Sequence, residues 1–172
     1  MRPSEKESQD FFQNFKMHPL DQPVPKKLLK GIQWGLSSYF PRVLNENTYV
    51  LDVGCEDSKY RKICWYMGSH YGGTDVNSSP FLSFLSDTHA LPVVNNYFDI
   101  IIAYNVMEYL KYPFVAIEEI ARVLKPSGIL IGVVSFLEPF HWVSYYHHTH
   151  FAIANLLHFE GLKIQFISSS PH

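Results

Sequence analysis

The ten residues Tyr49-Val50-Leu51-Asp52-Val53-Gly54-Cys55-Glu56-Asp57-Ser58 constrain the fold more than any other stretch of the chain. A short apolar run ends in an acidic turn and a helical pattern follows, which is how the first strand of an open α/β sheet passes the chain to its first helix. Sheets of that kind bind ligands outside the carboxyl ends of their strands, where the strand order reverses. The residues just beyond Val53 are therefore the first place to look for a site.

The same rhythm repeats downstream. A second strand over residues 70–74 ends at Asp75, and a short third strand over 81–85 delivers Ser86-Asp87-Thr88-His89-Ala90-Leu91-Pro92. Phe98-Asp99-Ile100-Ile101-Ile102-Ala103-Tyr104 is almost continuously apolar, the pattern of a central parallel strand buried on both faces, with Asn105 at its mouth. Between the strands, Tyr60, Ile63, Cys64 and Met67 make one helical stripe, which Asp57 or Ser58 would cap. Phe114, Ile117, Ala121 and Leu124 mark another helix, with Glu118 and Arg122 paired on its wet side. Lys125-Pro126-Ser127-Gly128 then turns the chain into strand five, residues 129–134. An aromatic and histidine-rich stretch follows, then a helix from about 149 to 159 stopped by Gly161, and residues 162–167 read as a last strand.

Ahead of the sheet, residues 1–24 read as an arm and residues 25–172 as one domain. Leu29, Ile32, Leu36 and Tyr39 share a helical face that Pro41 ends. With 47% apolar and 17% charged residues, 172 residues suffice for a single core. A net charge of -2 offers no excess to neutralise phosphates, so nucleic acid is not an expected partner. No apolar run approaches the ~20 residues of a bilayer span, and the start of the chain has no leader pattern, so a soluble, cytoplasmic protein is expected. Cys55 and Cys64 lack metal-ligand or CxxC spacing and read as reduced packing residues.

Taken in order, five pieces resemble the class I S-adenosylmethionine-dependent methyltransferases: Val50-Leu51-Asp52-Val53-Gly54-Cys55, Gly73-Thr74-Asp75, the Ser86 to Pro92 stretch, Phe98-Asp99 with Val106-Met107-Glu108-Tyr109-Leu110, and Glu119-Ile120-Ala121-Arg122-Val123-Leu124-Lys125-Pro126-Ser127-Gly128. The likeness runs from about residue 49 to 162. It implies a Rossmann-like α/β fold, with a mostly parallel central sheet, helices on both faces and the family's last antiparallel strand missing. It also implies S-adenosylmethionine as cofactor, S-adenosylhomocysteine as product, and a methyl acceptor of small-molecule, lipid or glycan type.

On that likeness the cofactor would meet Asp52, Gly54, Cys55 and Glu56 after strand one, Asp75 and Val76 after strand two, Asp87, Thr88 and His89 after strand three, and Asn105 after strand four. Asp75 would accept from the ribose hydroxyls and Asp87 from the adenine amino group, while Asp52 would order the methionyl amino end. Asp99 stands where the family begins a buried strand, away from the cofactor. Phe136-Leu137-Glu138-Pro139-Phe140-His141 and Tyr145-Tyr146 look like a subgroup with a Pro-Phe-His element over the acceptor pocket. His141 is thus the candidate general base, and Tyr145, Tyr146 and Asn105 are acceptor-binding candidates. His141, His147, His148 and His150 have no carboxylate or cysteine at helical spacing, and no metal site is expected.

Two departures leave alternatives open. Glu56 and Ser58 stand where the family has glycines: either Glu56 turns outward and its N–H stays useful, or its carboxylate closes the site and leaves a catalytically inactive binding module. One segment follows the last helix where the family has two strands, so either this form is truncated or residues 162–167 pair elsewhere, for example in a homodimer through the C-terminal edge.

Overall fold

Of the 172 residues, the computed structural model describes 24–28, 39–57, 59–136 and 143–167. The predicted helix over residues 29–38, the candidate base His141, and Ser58 lie outside the described residues. In chain order the regular elements are β1 (Tyr49–Val53), α1 (Arg61–Tyr66), β2 (His70–Asp75), β3 (Phe84–Leu85), β4 (Phe98–Tyr104), α2 (Pro113–Val123), β5 (Leu124–Val133) and α3 (His150–Phe159), with short 3-10 turns at Lys26–Leu28, Phe40–Val43 and Met107–Tyr109.

The strands form one parallel sheet in the order β3-β2-β1-β4-β5. Chain order reverses between β1 and β4, so the crevice expected of such a fold opens at their carboxyl ends. Asp52 lies opposite Gly73 of β2 on one side and Ile102 of β4 on the other.

The period of two along the central strands builds both halves of the core. Leu51, Val53, Ile101 and Ala103 face α2, where Ala116, Ile117, Ile120 and Val123 are fully buried, and Leu156 of α3 closes the same cluster. Val50, Ile100 and Ile102 face the other way, onto Phe40, Leu44, Tyr60, Ile63 and Cys64. Each fully buried aliphatic side chain contributes roughly 1.5–3 kcal/mol, so β4, buried on both sides, is the spine of the domain. Pro113 opens α2, where its missing N–H costs no helical bond.

At the amino ends of the strands a separate polar clamp holds the sheet. Lys125 Nζ lies 2.9 Å from both carboxylate oxygens of Asp99, and Asp99 Oδ2 accepts the Tyr49 N–H at 2.9 Å. Asp99 thus joins the starts of β1, β4 and β5, at the edge opposite the crevice.

Four sequence expectations change. Strand three shrinks to Phe84–Leu85 because only Thr74 and Asp75 of β2 are placed to pair with it. Strand five starts earlier, at Leu124, with Lys125 to Gly128 bulging between the Phe98–Leu124 and Ile100–Ile129 pairs. The first helix begins at Arg61, with Tyr60 at the N-cap and no side-chain cap bond, so Asp57 does not cap it. Residues 162–167 form no strand: Leu162 N–H bonds back to Leu157 O at 3.0 Å, closing the α3 terminus at Gly161 (φ +72°) and turning the chain onto the α2 side of the core.

Candidate cofactor and acceptor site

The turn after β1 is shaped by two positive φ angles, +63° at Gly54 and +45° at Glu56. A Cβ on Gly54 would sit 2.6 Å from Val106 Cγ2, so this position is closed to a side chain by space as well as by conformation. Main chain therefore lines the crevice between β1 and the mouth of β4. Cys55 is buried, and its N–H donates to Thr74 O at 3.1 Å, tying the turn to β2. Glu56 is exposed, and its N–H points at Asp75 Oδ2, 3.3 Å away. The N–H is thus taken up within the protein, while the side chain is exposed.

The carboxylates at the ends of β1, β2 and β3 are each held by the protein itself. Asp75 Oδ1 accepts the Asn77 N–H at 2.9 Å and the Asn77 side-chain amide at 3.4 Å, and with Glu56 this fixes the carboxylate at the mouth of β2, Oδ2 keeping acceptor capacity for a ligand hydroxyl. Val76 beside it is 62% exposed. Asp87 Oδ1 accepts from the His89 N–H at 2.9 Å and from the His89 ring. His89 Nε2 in turn accepts the Tyr112 N–H at 3.2 Å, so the ring's proton sits on Nδ1 and points at Asp87. Burial works to raise the Asp87 carboxyl, but the hydrogen bonds from the His89 main chain and ring hold it below the usual range. Thr88 is buried between these two residues.

Asp52 is different. Its side chain is 2% exposed, and burial pushes its carboxyl up to about 7, even though the Tyr71 hydroxyl donates to Oδ2 at 2.7 Å and works the other way. Nearby Asp57 and Asp75 add to the rise and Lys59 opposes it. Buried acceptors of this kind favour a donor or a cation, which fits an ammonium group at the methionyl end of the family's cofactor.

On the other side of the crevice, Asn105 adopts φ +52° and donates its N–H to Val133 O at 2.8 Å, which fixes it at the junction of β4 and β5. Its Oδ1 is buried and has no partner. The chain beyond β5 returns over this junction. Tyr145 and Tyr146 donate their N–H groups to Glu108 O at 2.8 and 3.2 Å, the Tyr146 hydroxyl donates to Lys111 O at 3.1 Å, and His148 Nε2 lies 3.2 Å from Met107 O. The structure therefore brings Asn105, Tyr145 and Tyr146 to one end of the sheet. Among the described residues no group of three or more metal-ligating side chains is placed to hold an ion.

Sequence reasoning missed Tyr71 and Glu108. Tyr71 is invisible without the register that places Asp52 opposite Gly73, two residues along β2. Glu108 did leave a signal: one acidic residue inside the run Val106-Met107-Glu108-Tyr109-Leu110, where it is 2% exposed.

Residues 51–132 match the family model described as a methyltransferase domain. Over that stretch, a little under half of the chain, the sequence is similar to the methyltransferase-domain family. S-adenosylmethionine is the cofactor of that family. Among solved structures, the chain is similar to a candidate methyltransferase from Bacillus halodurans, at 15% identity and a TM-score of 0.61 over 69% of this chain and 64% of the other. It is also similar to an S-adenosylmethionine-dependent methyltransferase from Archaeoglobus fulgidus, at 19% identity and a TM-score of 0.60, covering 73% and 65% respectively. A third is a candidate methyltransferase in complex with the Haloferax volcanii Trm112 methyltransferase activator, at 19% identity and a TM-score of 0.61, covering 79% and 71%. At these identities the likeness is one of fold, and the chain spans less than two thirds of the Bacillus and Archaeoglobus proteins. No curated protein matches the chain. No helix among the described residues is long and apolar enough to cross a membrane.

Proposed function

We propose that the chain binds S-adenosylmethionine across the carboxyl ends of β1, β2 and β3 and transfers its methyl group to an acceptor held at the mouths of β4 and β5. The observation that carries this reading is the Asp75 carboxylate, fixed at the end of β2 by the Glu56 and Asn77 N–H groups with acceptor capacity left over. Asp87 stands ready at the next strand end for the adenine amino group. Gly54 brings main chain to the methionyl end, and Asp52 accepts from its ammonium.

When bound, the cofactor supplies a methyl group on a sulfonium, which leaves by in-line displacement. The protein's share is then to align the acceptor and exclude water, which asks for positioning more than for many catalytic groups. The strap of residues 143–148, pinned to Met107, Glu108 and Lys111, supports that role, with Tyr145 and Tyr146 over the acceptor. We assign His141 as the base where the acceptor must lose a proton. The chain's charge of -2, together with Ala103-Tyr104-Asn105-Val106 in place of an Asn-Pro-Pro-Tyr signature, favours a small-molecule, lipid or glycan-type acceptor over nucleic acid.

Calorimetric titration with S-adenosylmethionine and S-adenosylhomocysteine tests the reading. The parent should bind both in the micromolar range. Asp75→Ala, losing two charge-assisted bonds of about 1.5–3 kcal/mol each, should weaken both by roughly 100-fold or more. Absence of binding in the parent would leave the inactive-module reading standing in its place.

A further inference from the structure

Glu108 is a buried carboxylate at this end of the sheet that the cofactor reading does not use. Its Oε1 accepts the Ser135 N–H at 3.3 Å, while its Oε2 is buried without a partner. Three residues earlier, the Oδ1 of Asn105 is buried and unpartnered too. Among the described residues, four nearby donors point elsewhere. Tyr145 and Tyr146 give their N–H groups to the main-chain oxygen of Glu108, the Tyr146 hydroxyl faces Lys111 O, and the His148 ring faces Met107 O. Lys111 Nζ lies over the Tyr112 ring, 5.3 Å from its centroid. Among the described residues no cation pairs with Glu108, and the ion pairs there are His89–Asp87, Arg122–Glu119 and Lys125–Asp99.

Two buried acceptors three residues apart, Asn105 just ahead of the 3-10 turn and Glu108 within it, are costly when left without donors. The cost is recovered when a ligand brings N–H donors, and an ammonium brings both the donors and the opposite charge. From this we infer that Glu108 and Asn105 form the recognition subsite for a positively charged amine on the methyl acceptor. The inference rests on the proposed methyltransferase reading and narrows its acceptor class to amine-bearing molecules. Both oxygens are closed off from solvent, so the surrounding chain has to open for the amine to enter.

Sinefungin is a suitable probe, since an amine-bearing carbon replaces the methylated sulfonium and points the amine towards the acceptor side. The measured quantity is the ratio of the S-adenosylhomocysteine and sinefungin dissociation constants in the full chain. In the parent, sinefungin should bind at least 10-fold more tightly. Glu108→Gln keeps the shape and an acceptor for Ser135 but removes the charge, and should bring the ratio to near one. Asn105→Gly, which tolerates the positive φ, should lower it part way and serves on its own if Glu108→Gln does not fold. A ratio near one in the parent, or one unmoved by either variant, overturns the inference while leaving cofactor binding intact. Failure of both ligands to bind the parent overturns the methyltransferase reading, and the subsite with it.

Discussion

The two sides of the crevice are built differently. Along β1, β2 and β3, Asp52, Asp75 and Asp87 each accept hydrogen bonds from the protein before any ligand arrives. Across the β1–β4 gap, Asn105 and Glu108 each keep a buried oxygen without a partner. One side is pre-organised by main-chain turns and the other stays unsatisfied under a returning strap. On the reading proposed above, the difference assigns cofactor binding and acceptor choice to separate pieces of chain, which can then be disturbed separately.

The largest expected effect comes from Asp52, a carboxylate 2% exposed. From about pH 4 upward an unfolded chain releases this proton, while the folded chain keeps it until about 7. Its contribution to stability is therefore present at pH 4 and lost as pH rises towards 7, by an amount on the order of a few kcal/mol. Asp87 and Glu119, both held low, act in the opposite sense and in a lower window. Urea denaturation from pH 4 to 8 should show the decline flattened in Asp52→Asn, and S-adenosylhomocysteine binding near pH 6 should release a proton into buffer, detectable by calorimetry in buffers of different ionisation enthalpy. Unchanged slopes in the variant would remove Asp52 from the cofactor side of the comparison.

Next in size is Gly54→Ala. It must fit a Cβ 2.6 Å from Val106 Cγ2 at φ +63°. Conformational strain of about 1–2 kcal/mol and overpacking of about 1–3 kcal/mol should lower stability measurably in denaturant, and displacement of Val106 should weaken cofactor binding as well. If binding falls while acceptor-side hydrogen exchange stays put, the two sides are as separable as described.

Smallest is Tyr146→Phe, which removes one partly exposed hydrogen bond to Lys111 O. Global stability should change by no more than about 1 kcal/mol, with faster amide exchange confined to residues 143–148. A global effect would mean that the strap is part of the core.

How much of this was legible in the sequence follows the same divide. β1 and β4 could be read because parallel strands buried on both faces leave nearly continuous apolar runs, whereas β2, His70-Tyr71-Gly72-Gly73-Thr74-Asp75, shows itself chiefly by its closing acid. The short β3 and the bulged start of β5 depend on which neighbour is in reach, which no periodicity records. Residues 162–167 alternate like a strand, yet alternation supplies no sheet partner, and after Gly161 Leu162 packs against the core while residues 163–165 are exposed. Tyr71 needed the register, and Glu108 needed the strap that covers it. His141, the base proposed from the sequence, lies outside the described residues.

The clamp of Asp99, Lys125 and the Tyr49 N–H sits at the far edge of the sheet from all of this. It works like the spine of a fan. With the starts of β1, β4 and β5 gathered in one ionic knot, strand alignment does not depend on what happens at the opposite rim. New side chains can be tried there, and old ones lost, while the ladder beneath keeps its pairing. A domain fastened at one end in this way can change what it methylates without relearning how to fold.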